Sequence, residues 1–331
     1  MYTPNSGYGQ AIINMVSSII PTFGRIFVVM SETDAGEENY NRMTEIIKLD
    51  PNGVVRFHNT LALAYAAVTS NNNDVILLDA DSSHSAAMLT VAKNRVHFIG
   101  MDGGGRLNSQ GTKISTPATD VAASVAVIKN TGTRNTYRNI KIIQQGTNAA
   151  QTSGLIDEGE GTYVKNCEME VNSLLTTVTQ GLLFAGDTCH YEDCQIGNST
   201  VLHNVSAQAP LHIKKSNGAY ARYSYFVNCN IIQYTTKTDS PCCQVTETDG
   251  YIGWISFQNC NFISASLGNG ATAGGAMAAG TINAGTSGYL LFDNACNSYN
   301  ATLFCDAVAY SLNAGTIGDA ATLGGGAVAA A

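Results

Sequence analysis

Charge is scarce in this chain of 331 residues: only 13% are Asp, Glu, Lys or Arg, where globular domains usually carry about a quarter. The 17 basic residues against 25 acidic ones leave a net charge of −8. That is a poor balance for neutralising phosphates, so nucleic acid is not an expected partner. Long hydrophobic runs are missing as well. The apolar run from Ala11 to Ile20 is too short to span a bilayer, and the opening MYTPNSGYGQ lacks a basic n-region. On these grounds neither a membrane partner nor a secretory route is expected, and synthesis in a reducing cytoplasm is. The nine cysteines, at 167, 189, 194, 229, 242, 243, 260, 296 and 305, lack CxxC spacing, so neither a zinc site nor a disulfide framework is expected. The six histidines show no HExxH spacing, no GxSxG occurs, and Gly103-Gly104-Gly105 has no following helix and Lys to make a phosphate cradle. No cofactor is expected.

Polarity comes instead from Asn, Ser, Thr and Gly, small hydrogen-bonding residues suited to β surfaces that stack on one another. Near the start, Ile12, Ile13, Val16, Ile19 and Ile20 recur at about the helical period, and Pro21 closes the run. This segment reads as a short arm that either caps the fold or docks onto a partner subunit. RIFVVM and VVRF read as strands, with Asp50-Pro51-Asn52-Gly53 as a turn before VVRF. Asn59 or Thr60 then caps a helix through LALAYAAV. In DVILLDADSSHSAAMLTVAKNRVHFIG three short strands, VILLD, MLTV and RVHFIG, are joined by small polar turns with no crossover helix. Parallel strands so joined make a solenoid.

A recurring unit supports that reading. Its copies centre on Asn139, Asn166, Asp193, Asn228 and Asn259, at separations of 27, 27, 35 and 31 residues, and from the second copy on a cysteine follows directly: Cys167, Cys194, Cys229 and Cys260. One copy per coil stacks the Asn or Asp side chains into a ladder at one turn, each bonding the backbone of the next coil, with the cysteines beside them facing inward. A weaker sixth copy, Phe292-Asp293-Asn294-Ala295-Cys296-Asn297, carries an inserted residue before its cysteine. The fold class expected is all-β, a right-handed single-stranded parallel β-helix with a short N-terminal helical arm. The organisation expected is an arm and cap over 1–55, the β-helix over 56–263, and an Ala/Gly-rich C-terminal region over 264–331.

DVILLDADSSHSAAMLTVAKNRVHFIGMDGG followed by the Asn-Cys repeats resembles the right-handed β-helix proteins of the pectin-lyase-like superfamily, over about residues 55 to 263. GRIFVV, DPNGVVRF, KNRVHFIGMDGGGRLNSQG, TRNTYRNIKI and IDEGEG are, more narrowly, similar to β-helix proteins encoded among the structural genes of tailed bacteriophages. That resemblance implies a virion protein, decorating or cementing the capsid exterior after synthesis in the host cytoplasm. Its partners would be the major capsid protein and itself, as a homotrimer, and its contacts would run through the solenoid surface and the N-terminal arm with Ile12, Ile13, Val16, Ile19 and Ile20.

Chemistry is sparse by the same reading. Asp157, Glu158 and Glu160 with Arg134 and Arg138, or Asp187 with Asp193, are the groups a calcium-dependent lyase would draw on, but IDEGEG reads as a solvated turn where Asp157→Ala would be nearly neutral. Asp79 and Asp81 with His84 read as turn residues rather than metal ligands. Tyr223 and Tyr225 share one strand face and, with the single tryptophan Trp254, are the aromatic candidates for a sugar platform. The expectation is therefore a structural protein and not an enzyme. The alternative is a tailspike or fibre type of receptor-binding protein that binds or cleaves a host surface glycan.

Overall fold

A computed structural model of the chain describes Val16 and residues 23–30, 55–79, 83–85, 88–102, 111–116, 125–172, 177–203, 205, 208–235, 237, 240–246, 252–265, 282–283, 289–293, 295–299 and 326–329. Its strands gather into sheets of 11, 8 and 7, here sheets 1, 2 and 3. Each coil visits them in the same order. Thr136–Arg138 lies in sheet 1, Asn139 turns the chain into Lys141–Gln144 of sheet 2, and a loop leads to Ser153–Asp157 of sheet 3. A second turn then sets Tyr163–Lys165 beside Thr136–Arg138, and the cycle repeats. The chain is thus an all-β, right-handed parallel β-helix. The parallel ladder extends beyond residues 56–263 at both ends: Ile26–Val29 pairs with Asp74–Leu78, and Asn261–Ala265 with Asn297–Tyr299. Gly326–Ala329 departs from the pattern, running antiparallel to Tyr289–Phe292.

Alternation of side chains sends one residue in two inward. In sheet 1 the inward register Phe98, Tyr137, Val164, Tyr191, Phe226, Phe257, Phe292 forms a column in which Phe98 and Tyr137 stack at 5.1 Å and Tyr191, Phe226, Phe257 and Phe292 stack in turn at 4.8, 5.1 and 5.2 Å. Each such pair adds about 0.5–1.5 kcal/mol beyond its buried area.

The turn from sheet 1 to sheet 2 holds Asn139, Asn166, Asp193, Asn228 and Asn259 at φ of 55, 52, 53, 54 and 51°. This is the left-handed region, which Asn and Asp tolerate better than other side chains. Side chains in this column bond one another. Asn166 Nδ2 donates to Asn139 Oδ1 at 2.9 Å, Asn228 Nδ2 to Asp193 Oδ1 at 3.1 Å, and Asn259 Nδ2 to Asn228 Oδ1 at 2.8 Å. Their backbone N–H groups carry the link between coils, as from Asn166 to the Glu192 carbonyl at 2.9 Å. Cys167, Cys194, Cys229 and Cys260 are fully buried beside them, and the Cys194 thiol donates to the Glu192 carbonyl at 3.2 Å. In the sixth coil Cys296 joins the column, and the Asp293 carboxylate accepts the Asn259 N–H at 3.0 and 3.1 Å.

The N-terminal end of the core is closed by α1, Leu61–Ala67, whose Leu61 and Ala64 are buried and whose N-cap Thr60 accepts from the Leu63 N–H. Lys93 fastens the other end of α1. Its ammonium donates to the carbonyls of Tyr65, Ala66 and Val68 at 2.8, 2.9 and 2.8 Å. Outside the barrel, Ile26, Val28, Val75, Leu77 and Ile99 make the outward face of sheet 1 apolar in the first coils, and Val16, in helical conformation, is fully buried among them. Ile12, Ile13, Ile19 and Ile20 lie outside the described residues. Among the described residues no helix is long and apolar enough to cross a membrane.

Candidate ligand-binding surface

Farther along the axis the outward face of sheet 1 changes character. Strand register sets Thr136, Tyr163, His190, Tyr225 and Ser256 in one line and Arg138, Lys165, Glu192, Val227 and Gln258 in a second beside it. Tyr163 meets His190 edge-on at 5.5 Å between ring centroids, His190 meets Tyr225 at 5.9 Å, and Tyr225 meets Trp254 at 4.8 Å. Tyr223 joins at the rim, 5.9 Å from Trp254. The result is an aromatic strip across four successive coils. Its far end is open to solvent: Tyr223 is 43% exposed, Tyr225 37% and the neighbouring Ile252 42%. Gly253 makes room there, since a Cβ at that position would lie 2.5 Å from the Tyr223 ring.

The other end of the strip is charged. The Arg138 guanidinium lies 5.3 Å from the centre of the Tyr163 ring and makes no ion pair among the described residues. Glu192 accepts from the Tyr163 hydroxyl at 2.5 Å and from Lys165 at 2.5 Å. Burial pushes the Glu192 carboxyl up, but the bonds from Lys165 and Tyr163 together outweigh it and hold the group below the ordinary carboxylate range. Beside them Arg138, Asn139, Lys165, Asn166 and Asp193 line a shallow depression of about 330 Å³. The arrangement can stack a flat apolar face at one end and bond hydroxyl or charged groups at the other.

Two carboxylates of the IDEGEG segment are turned away from this surface. Asp157, expected in a solvated turn, is fully buried. It faces into the barrel because the fifth residue of Ser153–Asp157 points inward, and Glu158 instead lies at the edge of sheet 3 with Lys129 at 3.2 Å. Burial pushes the Asp157 carboxyl up, against four hydrogen bonds that pull it down. Asp187 pairs with Arg222 at 2.7 Å, and Asp193 stays in the Asn ladder with Lys165 at 3.5 Å. Among the described residues no group of three or more His, Cys, Asp or Glu is placed to hold a metal. Asp81 and Gly103 to Gly105 lie outside the described residues.

The second turn of each coil went unread in the sequence. Arg134, Gly161, Thr188 and Tyr223 occupy it at φ of 56, 65, 52 and 50°. Only one of the four is glycine, so residue type gives no sign of the left-handed backbone. The sign available was spacing, for these positions repeat the 27-, 27- and 35-residue steps of Asn139, Asn166, Asp193 and Asn228.

No family model matches the chain, and no curated protein does. Solved structures do. Pectin methylesterase PemA from Erwinia chrysanthemi is similar at 14% identity and a TM-score of 0.48, covering 84% of this chain and 81% of that one. The pectin methylesterase from Aspergillus niger is similar at 15% identity and a TM-score of 0.47, covering 84% and 82%. ORF18 of Geobacillus virus E2 is similar at 12% identity and a TM-score of 0.42, covering 91% of this chain and 57% of that one. At such identities the likeness concerns architecture. It nevertheless corrects one expectation: the reading of the chain as not an enzyme is withdrawn, because solved structures similar to it are enzymes on stacked β coils. Low overall charge does not make such coils inert, since a few ionisable and aromatic side chains can be gathered on one face, as they are here.

Proposed function

We propose that the chain is a glycan-recognising β-helix of the tailspike or fibre type, which holds a carbohydrate polymer along the outward face of sheet 1. The observation that carries this reading is the solvent-facing strip of Tyr163, His190, Tyr225, Trp254 and Tyr223, flanked by Arg138, Lys165 and Glu192. Sugar rings offer apolar faces that stack on such side chains, while their hydroxyls need nearby polar partners. The rigid coil holds these groups in place before the ligand arrives, which lowers the entropic cost of binding. The test is calorimetry with host surface polysaccharides on the wild type, Trp254→Ala and Tyr225→Ala. Each substitution should weaken binding by about tenfold or more; affinities that ignore both would defeat the proposal. New reducing ends or unsaturated products in the same samples would report chemical change in the bound polymer.

A second reading keeps the virion role, a decoration or cement subunit seated on the major capsid protein as a homotrimer. Its support is the outward amide ladder of sheet 2, where Asn261 Nδ2 donates to Asn230 Oδ1 at 2.9 Å and Asn297 Nδ2 to Asn261 Oδ1 at 3.5 Å. Over these last coils the column is uncharged and self-bonded, unlike its earlier Lys141–Glu168 step at 2.9 Å, and such a patch suits packing against another subunit. Co-sedimentation with capsids is the experiment, and absence from the pellet would count against it.

A further inference from the structure

One inward column of sheet 3 reads Val91, Asn130, Asp157, Phe184, Ile213, Val245 through successive coils. It is apolar except at two adjacent coils, where a fully buried amide meets a fully buried carboxyl. Asn130 Nδ2 donates to Asp157 Oδ1 at 2.8 Å, and the Thr162 hydroxyl and Gly159 N–H donate to the same oxygen at 3.0 Å each. The Tyr191 hydroxyl donates to Asp157 Oδ2 at 2.6 Å. Gly159 permits this closeness, for a Cβ there would stand 2.4 Å from Asn130 Nδ2. Stacking does not need the Tyr191 hydroxyl, because Phe226, Phe257 and Phe292 continue the same column without one.

The network's partners have telling neighbours. Thr162 directly precedes Tyr163, and Tyr191 lies between His190 and Glu192, so Asp157 grips from inside the two strands whose outward residues begin the strip. We infer that Asp157, through Thr162 and Tyr191, is a positioning residue that sets the strands presenting Tyr163, His190 and Glu192 to the ligand; the inference rests on the glycan-binding reading. A buried hydrogen-bonded group tends to specify one arrangement where an apolar residue of similar size would allow several.

Tyr191→Phe removes the hydroxyl and keeps the ring. It should leave the circular dichroism spectrum unchanged, shift the ring resonances of Tyr163 and His190, and weaken polysaccharide binding by about tenfold. Val245→Ala, in the same column but away from the strip, should lower stability while leaving those resonances and the affinity alone. The inference is overturned if Tyr191→Phe leaves the resonances in place, or if Val245→Ala moves them equally. Should the wild type bind no polysaccharide, the glycan-binding reading fails by itself, and the resonances still decide whether Asp157 positions the strip.

Discussion

At the scale of single residues, position within the coil matters more than residue type. Asp157 and Asn228 both look like turn residues in the sequence, yet one is buried in the barrel and the other lies in the ladder at its surface. Asp157→Ala would remove the shared acceptor of the Asn130 amide, the Thr162 and Tyr191 hydroxyls and the Gly159 N–H, and is expected to cost about 3 kcal/mol or more. Asn228→Leu would put a branched side chain at φ of 54° and break the amide chain on both sides. Its expected cost is about 1–3 kcal/mol. Urea unfolding of the two variants ranks them; a near-neutral Asp157→Ala would contradict the buried network.

At the scale of elements, the cap shows how a short helix persists. Seven residues are too few to be stable alone. α1 survives because Leu61, Ala64 and Val68 pack on the first coils and because Lys93 occupies three carbonyls at its C-terminal end. The Tyr65 hydroxyl returns the contact by accepting from the N–H groups of Ala92 and Lys93 at 2.8 and 2.9 Å. Lys93→Met keeps the stem and loses the charge, and should cost about 1–3 kcal/mol. Hydrogen exchange should then show faster opening of residues 61–68 before the coils beyond Asn130. Exchange that rises uniformly along the chain would mean that Lys93 does not fasten the cap.

At the scale of the whole molecule, stability should depend on pH through buried imidazoles. Burial pushes His97, His203 and His212 each down to about 4. The unfolded chain, with histidines near 6.5, binds more protons below that pH than the folded one does. Their contribution is therefore complete above about pH 6.5 and is lost as pH falls toward 4, by roughly 3 kcal/mol for each histidine in the limit. Unfolding free energies at pH 7.5 and pH 4.5 test this, and equal values would show that these histidines protonate in place.

The sequence by itself determined the coil and its ladder, because a parallel β-helix repeats its strongest local constraint once per turn. Asn tolerates the left-handed turn, Cys fits the tight corner behind it, and the recurrence of both is visible without coordinates. Thr60 and the Ala/Leu run likewise announced α1 by local chemistry alone. What only the tertiary structure decided is what faces which way and beside what. The inward turn of Asp157 and the reach of Lys93 to α1 across 25 to 28 residues depend on coils being stacked. So does the strip from Tyr163 to Trp254, whose members lie 27, 35 and 29 residues apart in sequence and on neighbouring strands in space. A local pattern can set a backbone, but contacts between coils form only once the backbone brings distant side chains into register.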